Sequence, residues 1–373
     1  MKRIDDRVRL FFELLRLGLW EKDSQVQLVS EKDFCYVFRL AEEQTVIGLV
    51  TAGIEHSKGI NVPQSVLLQF VGQSLKLEQQ NKELNEFIAG LVERMRKADI
   101  YTLLIKGQGI AQCYERPLWR VSGDVDLLLS NDNYEKAKAF MIPLATGVEQ
   151  EGKYSMHLGL TIDSWVVELH GAMRCGLSKQ IDKELDAVKN DLFYGGNIRS
   201  WMNGRTSVFL PSPNNDAVYL FTHILQHFYK GGIGLRQICD WCRLLWTYRA
   251  DLNLQVLESR ISKAGLISEW KAFVAFAVNW LGMPEDAMPL YSSETKWKRK
   301  ADRICIFIIE VGNFGHNRDM SYYINKPYIV RKAVSLCRRC GDLYRHAKIF
   351  PLDSIRFFPR LIINGLISAT NGE

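Results

Sequence analysis

The chain has 373 residues, 47% hydrophobic and 24% charged, with a formal net charge of +6, an ordinary balance for a globular protein long enough to bury a full core. No run approaches the roughly eighteen apolar residues that a bilayer span needs. Met1 to Arg7 turns acidic where a secretory leader would become apolar, so the expected location is cytoplasmic.

In chain order, Val8 to Trp20 recurs apolar at helical spacing, Glu31 to Glu55 reads as one or two helices, and Gln64 to Ala98 is a long helix following Pro63. Tyr101 to Ile105 is a short apolar strand, and a helix over Ile110 to Tyr114 follows a glycine-containing turn. Ser122 to Leu129 leads into a second strand. Asn131 to Ile142 is a helix capped by Asn131 or Asp132 and ended by Pro143. Tyr154 to Ile162 and Trp165 to His170 form a hairpin through Asp163 and Ser164. A helix around Lys179 to Lys189 and a strand over Thr206 to Leu210 precede the break at Pro211-Ser212-Pro213. Helices then cover Ala217 to Tyr229 and Ile233 to Tyr248, with others to about Gly282. The pattern predicts an α+β fold in three parts: a helical region over 1–98, a small mixed β-sheet core over 99–211, and a helical C-terminal domain over 212–373. The last carries basic clusters at Lys296 to Lys300, Arg338-Arg339 and Arg356 to Arg360. A solvated helical face accounts for these, with a nucleic-acid, anionic-acceptor or membrane surface as the functional alternative.

The chemistry concentrates between Ile105 and Leu129. Lys106-Gly107-Gln108-Gly109 at a strand end leaves backbone N–H groups able to face an anion, phosphate above all. Asp124 and Asp126 alternate onto one strand face, roughly 7 Å apart, where they repel each other unless a cation lies between them. Hard oxygen donors favour Mg2+ or Mn2+. Glu168 and His170 share a face of the later strand, and the hairpin brings His157 toward Glu168. If the two strands are neighbours, Asp124, Asp126 and Glu168 complete a carboxylate triad.

Asp-x-Asp after a glycine turn, with a third acid on a later strand, resembles the nucleotidyltransferase superfamily that includes DNA polymerase beta and the kanamycin nucleotidyltransferases. The chain is more closely similar to a bacterial family of uncharacterised nucleotidyltransferases, through Lys106-Gly107, Arg120, Asp124-Val125-Asp126 and Glu168-Leu169-His170, over about Asn81 to Leu245. Gln108 stands where the superfamily usually has Ser. The resemblance implies transfer of a nucleoside monophosphate from a triphosphate to an acceptor hydroxyl, with Asp124, Asp126 and Glu168 as catalytic metal ligands. It implies that Lys106, Gly107, Gln108, Gly109, Arg120 and Ser122 bind the nucleotide, and that His227, Lys230, Arg236 and Asp240 line the cleft, which His157 and His170 join. The acceptor is left open among a sugar, a small molecule, a protein hydroxyl and an RNA end. A degenerate nucleotide-binding protein and an RNA-directed transferase or toxin are the alternative functions.

Competing motifs fail. The Gly107-x-Gly109 turn lacks the rest of a dinucleotide fingerprint, and no P-loop, G-x-S-x-G or H-E-x-x-H occurs. Of the eight cysteines, Cys239-x-x-Cys242 and Cys337-x-x-Cys340 lie far apart, the first pair inside a helical pattern, so reduced buried thiols are expected over structural zinc.

Overall fold

The computed structural model describes residues 5–26, 30–152, 156–315 and 328–370. It opens with α1 (Asp6–Trp20), capped by the Asp5 carboxylate accepting from the Arg7 N–H. Next come β1 (Ser24–Gln25), α2 (Glu31–Glu43), α3 (Ile47–Glu55) and β2 (Ser57–Lys58), which pairs in parallel with β1. Helices α1 and α3 touch backbone to backbone at Gly18 and Gly53, where a Cβ on either would lie 1.8 Å from a carbonyl oxygen of the other helix. Then α4 (Gln64–Lys97) runs unbroken for 34 residues. Its first half packs on the N-terminal helices and its second half covers the sheet.

The sheet comprises β3 (Thr102–Ile105), β4 (Val125–Leu129), β5 (Gly147–Val148), β6 (His157–Ile162) and β7 (Trp165–His170), in the order β3-β4-β7-β6-β5. Within this sheet, among the described residues, β4 and β7 pair in parallel and the other neighbours are antiparallel. The predicted start of β6 at Tyr154 lies outside the described residues. Helix α5 (Gly107–Ala111) begins inside the glycine turn rather than at Ile110, because the left-handed Gly107 lets the chain coil at once. Helix α6 (Asn131–Met141) is capped by Ser130, which accepts from the Asn133 N–H, one residue before the predicted cap. After α7 (Lys179–Phe193), the unpredicted strand β8 (Ile198–Asn203) forms a separate hairpin with β9 (Thr206–Pro211). The apolar residues of β8, Ile198, Trp201 and Met202, do not alternate, so the sequence carries no period-two signal there.

Helices α8 (Pro213–Lys230), α9 (Leu235–Thr247), α10 (Leu254–Ala264), α11 (Ile267–Leu281), α12 (Thr295–Val311), α13 (Tyr328–Ala347) and α14 (Pro351–Thr370) complete the described chain. Strand alternation divides the interior. Val125, Leu127, Leu129, Val167 and Leu169 pack against α4 and α6. From the other face Leu103, Ile105 and Leu128 join a second core that runs from Val8 in α1 to Leu361 in α14. Among the described residues no helix is long and apolar enough to cross a membrane.

Candidate active site

The same alternation that buries Val125 and Leu127 turns Asp126 to the opposite face, and the parallel register sets it beside Glu168. Asp124 stands just ahead of β4, and one carboxylate oxygen from each of the three acids falls within 4.8 Å of the others. The turn between β6 and β7 places both Asp163 (φ 48°) and Ser164 (φ 69°) in the left-handed region, the geometry of a tight two-residue hairpin. It brings His157 opposite His170. His157 Nε2 lies 3.1 Å from Glu168 Oε2, and His170 Nε2 lies 3.3 Å from that same oxygen and 2.9 Å from Asp126 Oδ1.

Lys106 closes the cluster from the end of β3, its ammonium 2.7 Å from Asp126 Oδ1. The charges act on one another. Burial opposes the charge on Lys106, but Asp126 outweighs it and holds the ammonium well above the ordinary lysine range. Asp126 pushes the Asp124 carboxyl upward, and burial adds to the effect. Burial likewise works against ionised Glu168, yet the hydrogen bonds from His157 and His170 keep its carboxyl far below the usual range. Against its own burial, His170 is raised by Asp126 and Glu168.

The cluster forms the floor of a cleft of about 1560 Å³. Helix α8 supplies the facing wall through Tyr219, His223 and His227, an i, i+4, i+8 stripe, with Lys230 at its end. His227 Nε2 lies 3.0 Å from His223 Nε2. Burial, and then the charge of Lys106, lowers both histidines, His227 to about 4. Helix α9 contributes Arg236 and Asp240, and α14 contributes Arg356 and Arg360. Tyr219 was missed by sequence reading, although it extends the His223 and His227 spacing back by one turn.

The predicted nucleotide-binding residues divide. Lys106 and Gly107 line the cleft. Gln108 is buried and donates through Nε2 to Asn81 Oδ1 on α4 at 2.7 Å. Gly109 is a packing glycine, since a Cβ there would meet Leu210 Cδ2 at 2.7 Å. Arg120 also reaches the cleft, but its guanidinium grips Asp240 bidentately at 2.9 and 2.7 Å and donates to Ser122 Oγ at 3.1 Å. Arg236 donates through Nη1 to the Val121 carbonyl at 2.9 Å, while its buried Nε has no hydrogen-bond partner among the described residues. Cys239 and Cys242 are buried and Cys337 and Cys340 exposed. Among the described residues, the groups able to hold a metal are the carboxylate triad and a set of His157, Glu168 and His170.

The profile of a family described as "Uncharacterised nucleotidyltransferase" matches residues 30–282. No curated protein and no solved structure matches the chain.

Proposed function

The chain belongs to the family of uncharacterised nucleotidyltransferases, and from that membership we propose that it moves a nucleoside monophosphate from a triphosphate to an acceptor hydroxyl, on a core of the polymerase-beta type. The observation that carries this reading is the β4–β7 register, which sets Asp126 beside Glu168 and gathers three carboxylates at the floor of a large cleft.

Asp124, Asp126 and Glu168 suit a divalent cation. Their donors are hard oxygens, which favour Mg2+ or Mn2+, and the upward push of Asp126 on Asp124 is a repulsion that such a charge relieves. When bound, the cation supplies charge neutralisation and polarisation of phosphoryl oxygens. Glu168, which accepts hydrogen bonds from His157 and His170 that favour its ionised form, acts in this scheme as a ligand. Lys106 and the Gly107 N–H grip the triphosphate from the floor, and Arg236 adds charge from the α9 wall. The acceptor hydroxyl gives up its proton to solvent as its oxygen bonds to the α-phosphorus, the bond to the bridging oxygen breaks, and pyrophosphate leaves. Catalysis is then positioning and charge stabilisation.

Calorimetric titration with each ribonucleoside triphosphate, with Mg2+ and then with chelator, tests the donor site. Binding should require Mg2+ and should weaken by at least ~100-fold in Asp126→Asn, because metal stabilisation is worth several kcal/mol. Equal binding by wild type and variant would sink the assignment. A second reading, a protein that holds nucleotide without turnover, is favoured by the internal commitments of Gln108 to Asn81 and Arg120 to Asp240. Triphosphate binding without pyrophosphate release across sugar, protein and RNA acceptors would select it.

A further inference from the structure

We propose that His157, Glu168 and His170 form a second metal position, selective for a borderline divalent cation such as Zn2+ or Co2+, which shares Glu168 with the carboxylate position. The two imidazoles are a cross-strand pair on β6 and β7, and their ring centroids stand 4.9 Å apart. Both Nε2 atoms aim at one oxygen, Glu168 Oε2, from 3.1 and 3.3 Å. Ligands held at about 2.0–2.1 Å in a tetrahedron lie about 3.3 Å from one another, so these separations are close to the edges of a coordination polyhedron. One ligand atom from each of the three residues falls within 4.8 Å of the others. All three side chains are partly buried and line the cleft, which gives an ion a path in and leaves room for further ligands.

The donor chemistry separates the two positions. Asp124, Asp126 and Glu168 offer oxygen alone, whereas two imidazole nitrogens shift preference away from Mg2+ toward the later first-row ions. Glu168 belongs to both sets, so it would bridge them. The competing account makes the imidazoles hydrogen-bond donors to Glu168 and Asp126 and nothing more. It predicts metal uptake by the carboxylates alone.

Cobalt distinguishes the two accounts without nucleotide or turnover, so the outcome is independent of the transfer reading. The intact protein is dialysed against Co2+, and its visible absorption and bound equivalents are recorded. Wild type should take up two equivalents, one of them giving the intense visible bands of a four- or five-coordinate ion with nitrogen ligands. Excess Mg2+ should displace one equivalent and leave those bands in place. His157→Gln, which keeps a polar group at this half-buried position, should lose the bands and weaken that equivalent by more than the ~10–100-fold that loss of a supporting group costs. Asp124→Asn should keep them. Circular dichroism establishes that each variant is folded. The absence of those bands in wild type, or the same stoichiometry and spectrum in wild type and folded His157→Gln, would overturn the proposal.

Discussion

Lys106 delivers its charge to the site from a backbone conformation that lysine rarely adopts. Its φ of 60° and ψ of −149° fall in a region natural to glycine, where other residues pay ~1–3 kcal/mol. The ion pair to Asp126 and the onset of α5 hold it there. Lys106→Ala removes the charge and keeps the strain, whereas Lys106→Gly removes both at ~0.5–1 kcal/mol of added chain entropy. Urea denaturation should therefore find the glycine variant more stable than the alanine variant by about 1 kcal/mol, with triphosphate binding weakened alike in both. A glycine variant no more stable than the alanine one would mean that the local backbone is not strained. The neighbours show how far single residues could be read. The shared face of Asp126 and Glu168 was legible because strand alternation assigns it, whereas Asp124 lies just ahead of β4 rather than on the strand as expected and joins the group from there. Gln108 and Gly109 were not legible, since a glycine marks either an unusual φ or a close packing contact, and the Leu210 side chain that sets the second lies about a hundred residues on.

Between elements, the Arg120–Asp240 pair ties the approach to β4 to helix α9. Both side chains are 6% exposed, and Asp240 also accepts from the Tyr114 hydroxyl at 2.8 Å. Arg120→Met leaves a buried carboxylate with that hydroxyl as its remaining hydrogen-bond donor among the described residues, and should cost ~3–5 kcal/mol. Asp240→Leu strands the guanidinium at a similar cost. The double variant should recover most of the loss, because two apolar groups leave no charge uncompensated. Denaturant midpoints across this cycle measure the coupling, and additive losses would mean that the pair contributes no coupling. Sequence periodicity identified β3, β4, β6 and β7 and the hairpin turn, all decided within a few residues. Two things lay beyond its reach. The parallel pairing of β4 with β7 depends on the intervening chain leaving and returning, and the partner of Arg120 is 120 residues away. Strand β8 escaped because its apolar residues, Ile198, Trp201 and Met202, do not alternate along the strand.

At the scale of the whole molecule, one interior joins the first helix to the last. Apolar periodicity shows that a helix has a buried face but not what that face meets, so the helical regions were legible and their common core was not. Glu269 of α11 borders that interior, fully buried, with the Tyr229 hydroxyl donating to it at 3.3 Å. Burial, reinforced by Asp353, pushes its carboxyl up to about 8. Between its ordinary value of 4.5 and that raised value the folded state binds more protons than the unfolded chain. The stability contributed is thus full below pH 4.5 and is lost as pH rises through about 8. Thermal melts from pH 5 to 9 should show Glu269→Gln gaining on wild type with each step upward, on the order of a few kcal/mol at the alkaline end. Parallel curves would show that the ionised form is accommodated. The cleft spans a comparable range of sequence: its floor comes from β3, β4, β6 and β7, whereas Arg356 and Arg360 at its edge belong to α14, beyond residue 282 where the family match ends. A gene laid out this way can exchange its tail by recombination, or let it drift, without touching the strands that form the cleft floor. Descendants of one ancestor can then inherit the same reaction and diverge in what they modify.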